Sequence, residues 1–407
     1  MKVRNELVER FFRYVAIESQ SDERALTLPS TPGQNELAAL LAAELRDLGL
    51  ENVVVDQNAI VTAVKRGRRL CVPRVGFIAH LDTANVGLSP VIRPQIKRYV
   101  GRDLCLNEEK DIWFRANEHP EAEAWLDQEI IFSDGTSVLG ADNKAAIAVI
   151  MTVLSDLNSS DAHGDICVAF VPDEEIGLRG AKALDLSRFC CDFAYTIDCC
   201  ELGEVVTENF NAASGEIVFT GVSAHPMSAK GVLVNPLLMA FDFVAQFSRG
   251  DTPECTDGKD GYFWFNELES NDNEARLSVL IRDFDGENFE NRKQRIHDVA
   301  ELSRRQYPTG HVEVEIFDAY QNVGYSLRND KRPIEILLAA LRELNIEPKF
   351  ISMRGGTDGA ALSARGLATP NFFTGAYNFH SRFEFLPLLA FEKSFQTARM
   401  ICALAAK

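Results

Sequence analysis

The sequence predicts an α/β protein with two parts. The larger is a domain on a mixed, mostly parallel sheet flanked by helices, and the smaller is an inserted ferredoxin-like βαββαβ domain. Three observations predict this. Strand-length apolar runs alternate with helical stretches over residues 1–208, a β-α-β-β-α-β succession fills 209–320, and the α/β pattern returns over 321–407. A chain of 407 residues suits two domains, and its 46% hydrophobic content is enough for two cores.

Taken in order, Val8, Phe11, Phe12, Val15 and Ile17 form one helical face. The run Pro29-Ser30-Thr31-Pro32-Gly33-Gln34 breaks the chain, helical spacing resumes over 37–48, and a strand follows before residue 65. Residues 74–80 are a buried strand, and 85–136 are an irregular insertion bearing hairpins. A helix over 145–157 precedes strands at 166–171 and 193–197. The inserted domain has a strand at 216–221, a helix at 236–247 and strands at 262–268 and 276–282. A charged helix at 287–306 and a strand at 312–317 complete it. Beyond it come a helix at 332–344, strands near Phe350 and Phe372, and a last helix at 388–405.

The net charge of −18 opposes binding to nucleic acid or to an anionic membrane, since both need clustered Lys and Arg. No apolar run reaches the ~18 residues of a membrane span. The N-terminal stretch reads as an amphipathic helix and not as the apolar core of a signal peptide. The nine cysteines are scattered, and the adjacent pairs Cys190-Cys191 and Cys199-Cys200 do not form a regular disulfide framework. A reducing cytoplasm is the expected location.

Chemistry concentrates at strand ends. His80 and Asp82 are two apart, so they share a face; Asp82 is placed to orient the imidazole, and a strand-end His beside a turn Asp is the plain alternative. Asp142 follows Gly140-Ala141 at a helix start, where the helix dipole alone would favour it. Glu174 and Glu175 are adjacent on a loop, so one is free to bind a metal while the other takes a proton. The alternative is a solvated acidic loop. Asp198 ends an apolar strand, where an unpaired carboxylate is costly. His380 lies in an apolar stretch and competes with the reading of a satisfied core histidine. Ligand sites of open α/β sheets lie at such strand ends. Two imidazoles and several carboxylates suffice for two metal ions and one free base.

The ordered set His80-x-Asp82, Gly140-Ala-Asp142-Asn-Lys144, Asp173-Glu174-Glu175-Ile-Gly177, Asp198 and His380 resembles the M20 metallopeptidases. Within that family it is most similar to the peptidase T group of tripeptide aminopeptidases. Further matching stretches are Phe210-Asn-Ala-Ala213, His225-Pro226, Ile281-Arg-Asp-Phe-Asp285 and Arg354-Gly-Gly-Thr-Asp-Gly359. The resemblance spans essentially the whole chain.

The resemblance implies a di-zinc catalytic domain (1–208 and 321–407) and a lid and dimerisation domain (209–320). His80, Asp142 and Asp198 would serve one zinc, and Glu175 and His380 the other, with Asp142 shared. Glu174 would be the general base for a water between the two zinc ions, and Asp82 the partner of His80. His225 and Arg282 from the lid, and Arg354 from the catalytic domain, would contact substrate. A cis peptide at Asp142-Asn143 and a homodimer through the lid are also implied. The implied function is removal of the N-terminal residue of short peptides, most of all tripeptides, in cytoplasmic peptide catabolism. The alternatives are an M20-type dipeptidase or an N-acyl-amino-acid deacylase of the same chemistry, and an inactive homologue used as a binding module. This chain departs from the peptidase T pattern at Cys199-Cys200, Cys255 and Tyr377. Those departures are expected to change the substrate pocket and leave the ligand set intact.

Overall fold

The computed structural model describes residues 2–157 and 162–407. They form two compact units. The first comprises 1–207, 323–351 and 357–407, and the second comprises 208–322 and 352–356.

The first unit is built on an eight-stranded sheet. Its order is Glu51–Val55, Val61–Lys65, Ile166–Val171, Val75–His80, Phe193–Cys199, Asn371–Phe373, Glu204–Asn209, Lys349–Met353. The four strands from Ile166–Val171 to Asn371–Phe373 run parallel. Antiparallel pairing appears toward both edges. Strands Val75–His80 and Ile166–Val171 are buried at every residue, as expected of strands covered on both faces.

Helix Lys2–Val15 buries Leu7, Phe11, Tyr14 and Val15, one stripe at three- and four-residue spacing. Helix Pro32–Asp47 starts on a proline, whose missing N–H costs nothing there. Helix Ala141–Asp156 is buried nearly all round. It packs between Lys2–Val15, Leu388–Leu404 and the His80 strand, which makes it a rigid carrier for its first turn.

The insertion at 85–136 holds a hairpin, Leu104–Asn107 with Ile112–Phe114, and two strands, Gln95–Arg98 and Glu129–Phe132. These two join Phe385–Pro387 in a three-stranded sheet over an aromatic cluster of Tyr99, Phe114, Phe132, Tyr377 and Phe385.

The second unit is an antiparallel sheet ordered Tyr262–Ser270, Glu274–Asp283, Asn211–Thr220, His311–Tyr320. Helices Pro236–Val244 and Gly286–Gln306 cover one face through Met239, Phe243, Ile296 and Val299, against Ile217, Phe219, Leu277 and Val279. This is the β-α-β-β-α-β order read from the sequence.

Several elements differ from the sequence reading. The one strand expected before residue 65 is two, Glu51–Val55 and Val61–Lys65, joined by a turn around Asp56, which accepts the amides of Asn58 and Ile60. The first strand of the second unit begins at Asn211, five residues before the run of larger alternating side chains that starts at Glu216. Strands Glu204–Asn209 and Phe385–Pro387 and the short helices Gly324–Asn329 and Asp358–Ser363 lack a periodic signal of their own. Among the described residues no helix is long and apolar enough to cross a membrane.

One buried group fastens the N-terminal loop to the chemistry-bearing loop. Asp173 is fully buried and accepts hydrogen bonds from the Ser30 amide (2.8 Å), the Ser30 hydroxyl (2.5 Å) and Gln34 Nε2 (2.7 Å). Arg179 lies 3.3 Å away. Asp173→Ala strands these donors, so urea unfolding should show a loss of about 3 kcal/mol. A loss under about 1 kcal/mol would mean that the loop does not depend on this carboxylate.

Candidate active site

Two parallel strands, the loops after two others and the start of helix Ala141–Asp156 deliver the site. His80 is the last residue of its strand, and Glu174 and Glu175 follow Val171 by three and four residues. Asp198 lies at the end of Phe193–Cys199, and His380 follows Phe373 on the next loop. Carboxyl ends of parallel strands are where an open sheet presents ligands.

The structure brings together all five metal-ligand candidates. His80 Nε2 lies 3.0 Å from Asp142 Oδ1 and 3.9 Å from Asp198 Oδ1. His380 Nε2 lies 3.0 Å from Asp142 Oδ2 and 3.0 Å from Glu175 Oε1. The two oxygens of Asp142 therefore face different imidazoles. His80, Asp142 and Glu175 also offer ligand atoms within 4.8 Å of one another, so the two trios interpenetrate. The oxygen-by-oxygen pairing still separates them, because each Asp142 oxygen has its own imidazole.

Asp82 is buried and not aimed at these atoms. Its carboxylate accepts the amides of Glu174 (3.0 Å) and Glu175 (3.2 Å), and its Oδ1 lies 3.3 Å from His80 Nδ1. Nδ1 also sits 3.0 Å from the Asp82 carbonyl. These contacts keep a proton on Nδ1, so Nε2 is the nitrogen turned toward Asp142 and Asp198 and the one a metal would take. Glu174 carries no side-chain hydrogen bond among the described residues and is nearly buried.

Asn143 and Glu384, which the sequence reading did not select, hold this geometry, and Asp358 lies beside it. Asn143 donates to Asp198 Oδ1 (2.8 Å) and the Ile197 carbonyl (2.7 Å), and accepts the His80 amide (3.3 Å). The peptide Asp142–Asn143 is cis, as the resemblance implied. Glu384 is buried and accepts the amides of Leu139, Gly140 and Asp142 at 2.7, 2.8 and 3.0 Å. Its signal was an acid between Phe383 and Phe385, costly to bury without partners. Asp358 is buried with Oδ1 unpartnered and interacts electrostatically with His80, Asp82 and Glu175.

The charge balance points to cations. Burial, with the charge of Asp142 behind it, pushes Glu175 up to about 7, and burial does the same to Asp358. Burial also drives Glu174 and Asp198 well above the carboxylate range. Hydrogen bonds donated to Asp142 and Glu175 carry His380 up to about 11. For His80 burial opposes charge, but the bonds to Asp142 and Asp82 prevail and raise it. Without a cation, the cluster must hold protons to offset its carboxylates. The donor set of imidazole nitrogens and carboxylate oxygens, with His80 oriented by Asp82 and Asp198 by Asn143, fits divalent metal ions.

The substrate-contact candidates all lie in the second unit. Arg354 groups there by contact, where the sequence reading put it in the first. Its Nη1 donates to the carbonyls of Gly258 (3.2 Å) and Asp260 (3.1 Å), and its Nη2 to Thr256 Oγ1 (2.9 Å). Arg282 Nη1 donates to the carbonyls of Ala213 (3.0 Å) and Ile281 (2.9 Å), and the guanidinium lies over Tyr320. Asp283 pairs with Arg292, not with Arg282. His225 is exposed, and its Nδ1 accepts the Met227 amide (3.2 Å), which leaves Nε2 to carry the proton.

Of the departures, Tyr377 is a core residue stacked on Phe385 at 4.8 Å and edge-on to Trp125. The expectation that it alters the substrate pocket has no support in this packing. Cys199 is buried, and burial pushes both its thiol and that of Cys200 upward, away from the thiolate. Cys255 is exposed in the second unit.

A buried carboxylate–imidazole centre at the ends of parallel strands defines a metal-dependent hydrolase. The chain belongs to peptidase family M20/M25/M40, whose profile it matches over residues 140–405. It is 65% identical over 406 residues to a peptidase T-like protein of Rhizobium meliloti (strain 1021), covering 100% of both chains. It is 41% identical over 407 residues to a peptidase T of Caldanaerobacter subterraneus subsp. tengcongensis, covering 99% of both. The crystal structure of aminopeptidase PepT from Bacillus cereus superposes with a TM-score of 0.79 at 22% identity, covering 99% of both.

The pKa directions set a sign for the metal-free protein. A carboxyl whose folded pKa is raised holds a proton that the unfolded chain has released, so its contribution is lost as pH rises through the folded value. For Glu175 that window runs from 4.5 to about 7. Asp358 acts in the same sense over its own window up to about 7. Buried Lys144, lowered to about 7, acts in the opposite sense only above that. The melting temperature of chelator-treated protein should therefore fall from pH 5 to pH 7. Saturating zinc should abolish the fall, because metal displaces those protons. A melting temperature that rises with pH in the chelated protein contradicts this balance.

Proposed function

We propose that this chain is a metal-dependent aminopeptidase that removes the N-terminal residue of short peptides, tripeptides foremost. The observation that carries the reading is Asp142, whose two oxygens each lie 3.0 Å from a different imidazole beside the free carboxylate of Glu174. Its full-length relatives named peptidase T support the substrate class.

His80, Asp142 and Asp198 would hold one metal, and Asp142, Glu175 and His380 the other. Zinc is the ion we assign to both, from the mixed nitrogen and oxygen donors. When bound, two such ions supply Lewis acidity that polarises the scissile carbonyl and acidifies a water.

Glu174 is the proton carrier. Nearly buried and free of side-chain hydrogen bonds among the described residues, it would take a proton from the attacking water and pass it to the leaving amine. Asp82 keeps Glu174 in place through its amide and fixes the His80 tautomer at Nδ1. His225, with Nε2–H available, and the guanidinium groups of Arg282 and Arg354 are proposed to bind the peptide. We further propose a cytoplasmic location, in keeping with nine cysteines that form no disulfide. A homodimer through the inserted unit is proposed on its exposed Leu238, Phe241 and Trp264.

Free and N-acetylated tripeptides separate this reading from a deacylase. The zinc-loaded protein should cleave the free peptide at least 100-fold faster; equal rates sink the aminopeptidase claim. Glu174→Ala should keep two metals per chain by elemental analysis and lose roughly 10²–10⁴ in kcat. Loss of metal instead would make Glu174 a ligand. Arg282→Ala should raise KM about tenfold with little change in kcat, as expected for loss of one charged contact. An unchanged KM removes Arg282 from substrate binding.

A further inference from the structure

One cavity shares its walls with the proposed metal ligands and is not used by the mechanism above. It encloses about 280 Å³ and is lined by Glu175 and His380 together with Glu23, Ala84, Val86 and Ile176. All of these residues belong to the first unit. Glu23 is exposed and makes no ion pair or side-chain hydrogen bond among the described residues.

The loop that carries Glu23 is stitched in place. The Ser21 amide donates to the Thr83 carbonyl (3.1 Å), the Thr83 amide to the Ser19 carbonyl (3.3 Å), and Gln20 Nε2 to the Ala84 carbonyl (3.2 Å). On the other side, the Asp22 amide donates to Ser30 Oγ (3.0 Å), whose residue is held by Asp173. Glu23 is therefore fixed against the segment that follows His80-Leu81-Asp82, one residue beyond these ties.

We propose that this cavity takes a basic side chain next to the scissile bond, with Glu23 as the specificity-determining residue. Ala84, Val86 and Ile176 offer an apolar wall for a methylene stem, and Glu23 meets the charged head at the exposed end. An α-ammonium alone has no stem to lay along that wall. An acidic side chain meets like charge at Glu23 and Glu175. The net charge of −18 draws cationic peptides toward the protein. The inference rests on the peptidase reading and names its substrate class more narrowly.

The test uses zinc-loaded wild type, Glu23→Gln and Glu23→Lys with Lys-Gly-Gly, Leu-Lys-Gly and Leu-Gly-Gly. Comparing substrates within each variant cancels any loss of folded protein. Glu23→Gln should lower kcat/KM about fivefold more for one of the lysine peptides than for Leu-Gly-Gly, as expected for one exposed ion pair. Glu23→Lys should widen that gap. Unchanged ratios for both lysine peptides overturn the inference. Equal losses on all three also overturn it, because they place Glu23 at the common α-ammonium. Wild-type protein that cleaves no free tripeptide overturns the peptidase reading and this inference with it.

Discussion

Everything at the site follows from one crowding problem. Asp82, Asp142, Glu174, Glu175, Asp198 and Asp358 converge on the buried imidazole of His80 and the half-exposed imidazole of His380 within one unit. Buried like charges repel strongly, and each carboxylate has also lost its water. Asp142 is drawn below the ordinary carboxylate range, because burial is outweighed by the hydrogen bonds from His380 and His80. It is the one acid flanked by both rings, and so the natural place for two cations to share a ligand.

The scaffold can be read as the means of holding that arrangement. The helix that begins at Ala141 is clamped on all sides, and its first turn is tethered by Glu384 through three amides. Glu384 lies on the loop that also carries His380. That loop is closed by mutual amide–carbonyl bonds between Tyr377 and Phe385 at 2.9 and 3.1 Å. One loop thus carries His380 and holds the backbone of Asp142. Asp82 does the equivalent work on the other side, tying the His80 ring to the Glu174-Glu175 turn.

Much of this was legible in the sequence, for physical reasons. Metal ligands on parallel strands must sit at strand ends, so His80, Asp198 and the Glu174-Glu175 pair could be found from apolar runs that stop at an acid or a histidine. The period-two pattern of Ala275, Leu277, Val279 and Ile281 gave the inserted sheet its inward face. Partners distant in the chain were not legible. Glu384 reaches back more than two hundred residues to the amides of Leu139, Gly140 and Asp142, and no spacing rule anticipates that. Tyr377 stands out in the sequence as a departure from the peptidase T pattern, but its packing on Phe385 and against Trp125 of the insertion has no signal there. Arg354 was assigned by its place in the chain, yet its guanidinium is bonded to Thr256, Gly258 and Asp260.

The central claim is that Asp142 bridges two metal ions. Anomalous-difference diffraction at the zinc edge, on crystals of zinc-loaded protein, tests it most directly. The account predicts two peaks per chain roughly 3.5–4 Å apart, with the Asp142 carboxylate between them. His80 and Asp198 should lie on one side, and Glu175 and His380 on the other. A single peak, or two peaks that do not share Asp142, would contradict it.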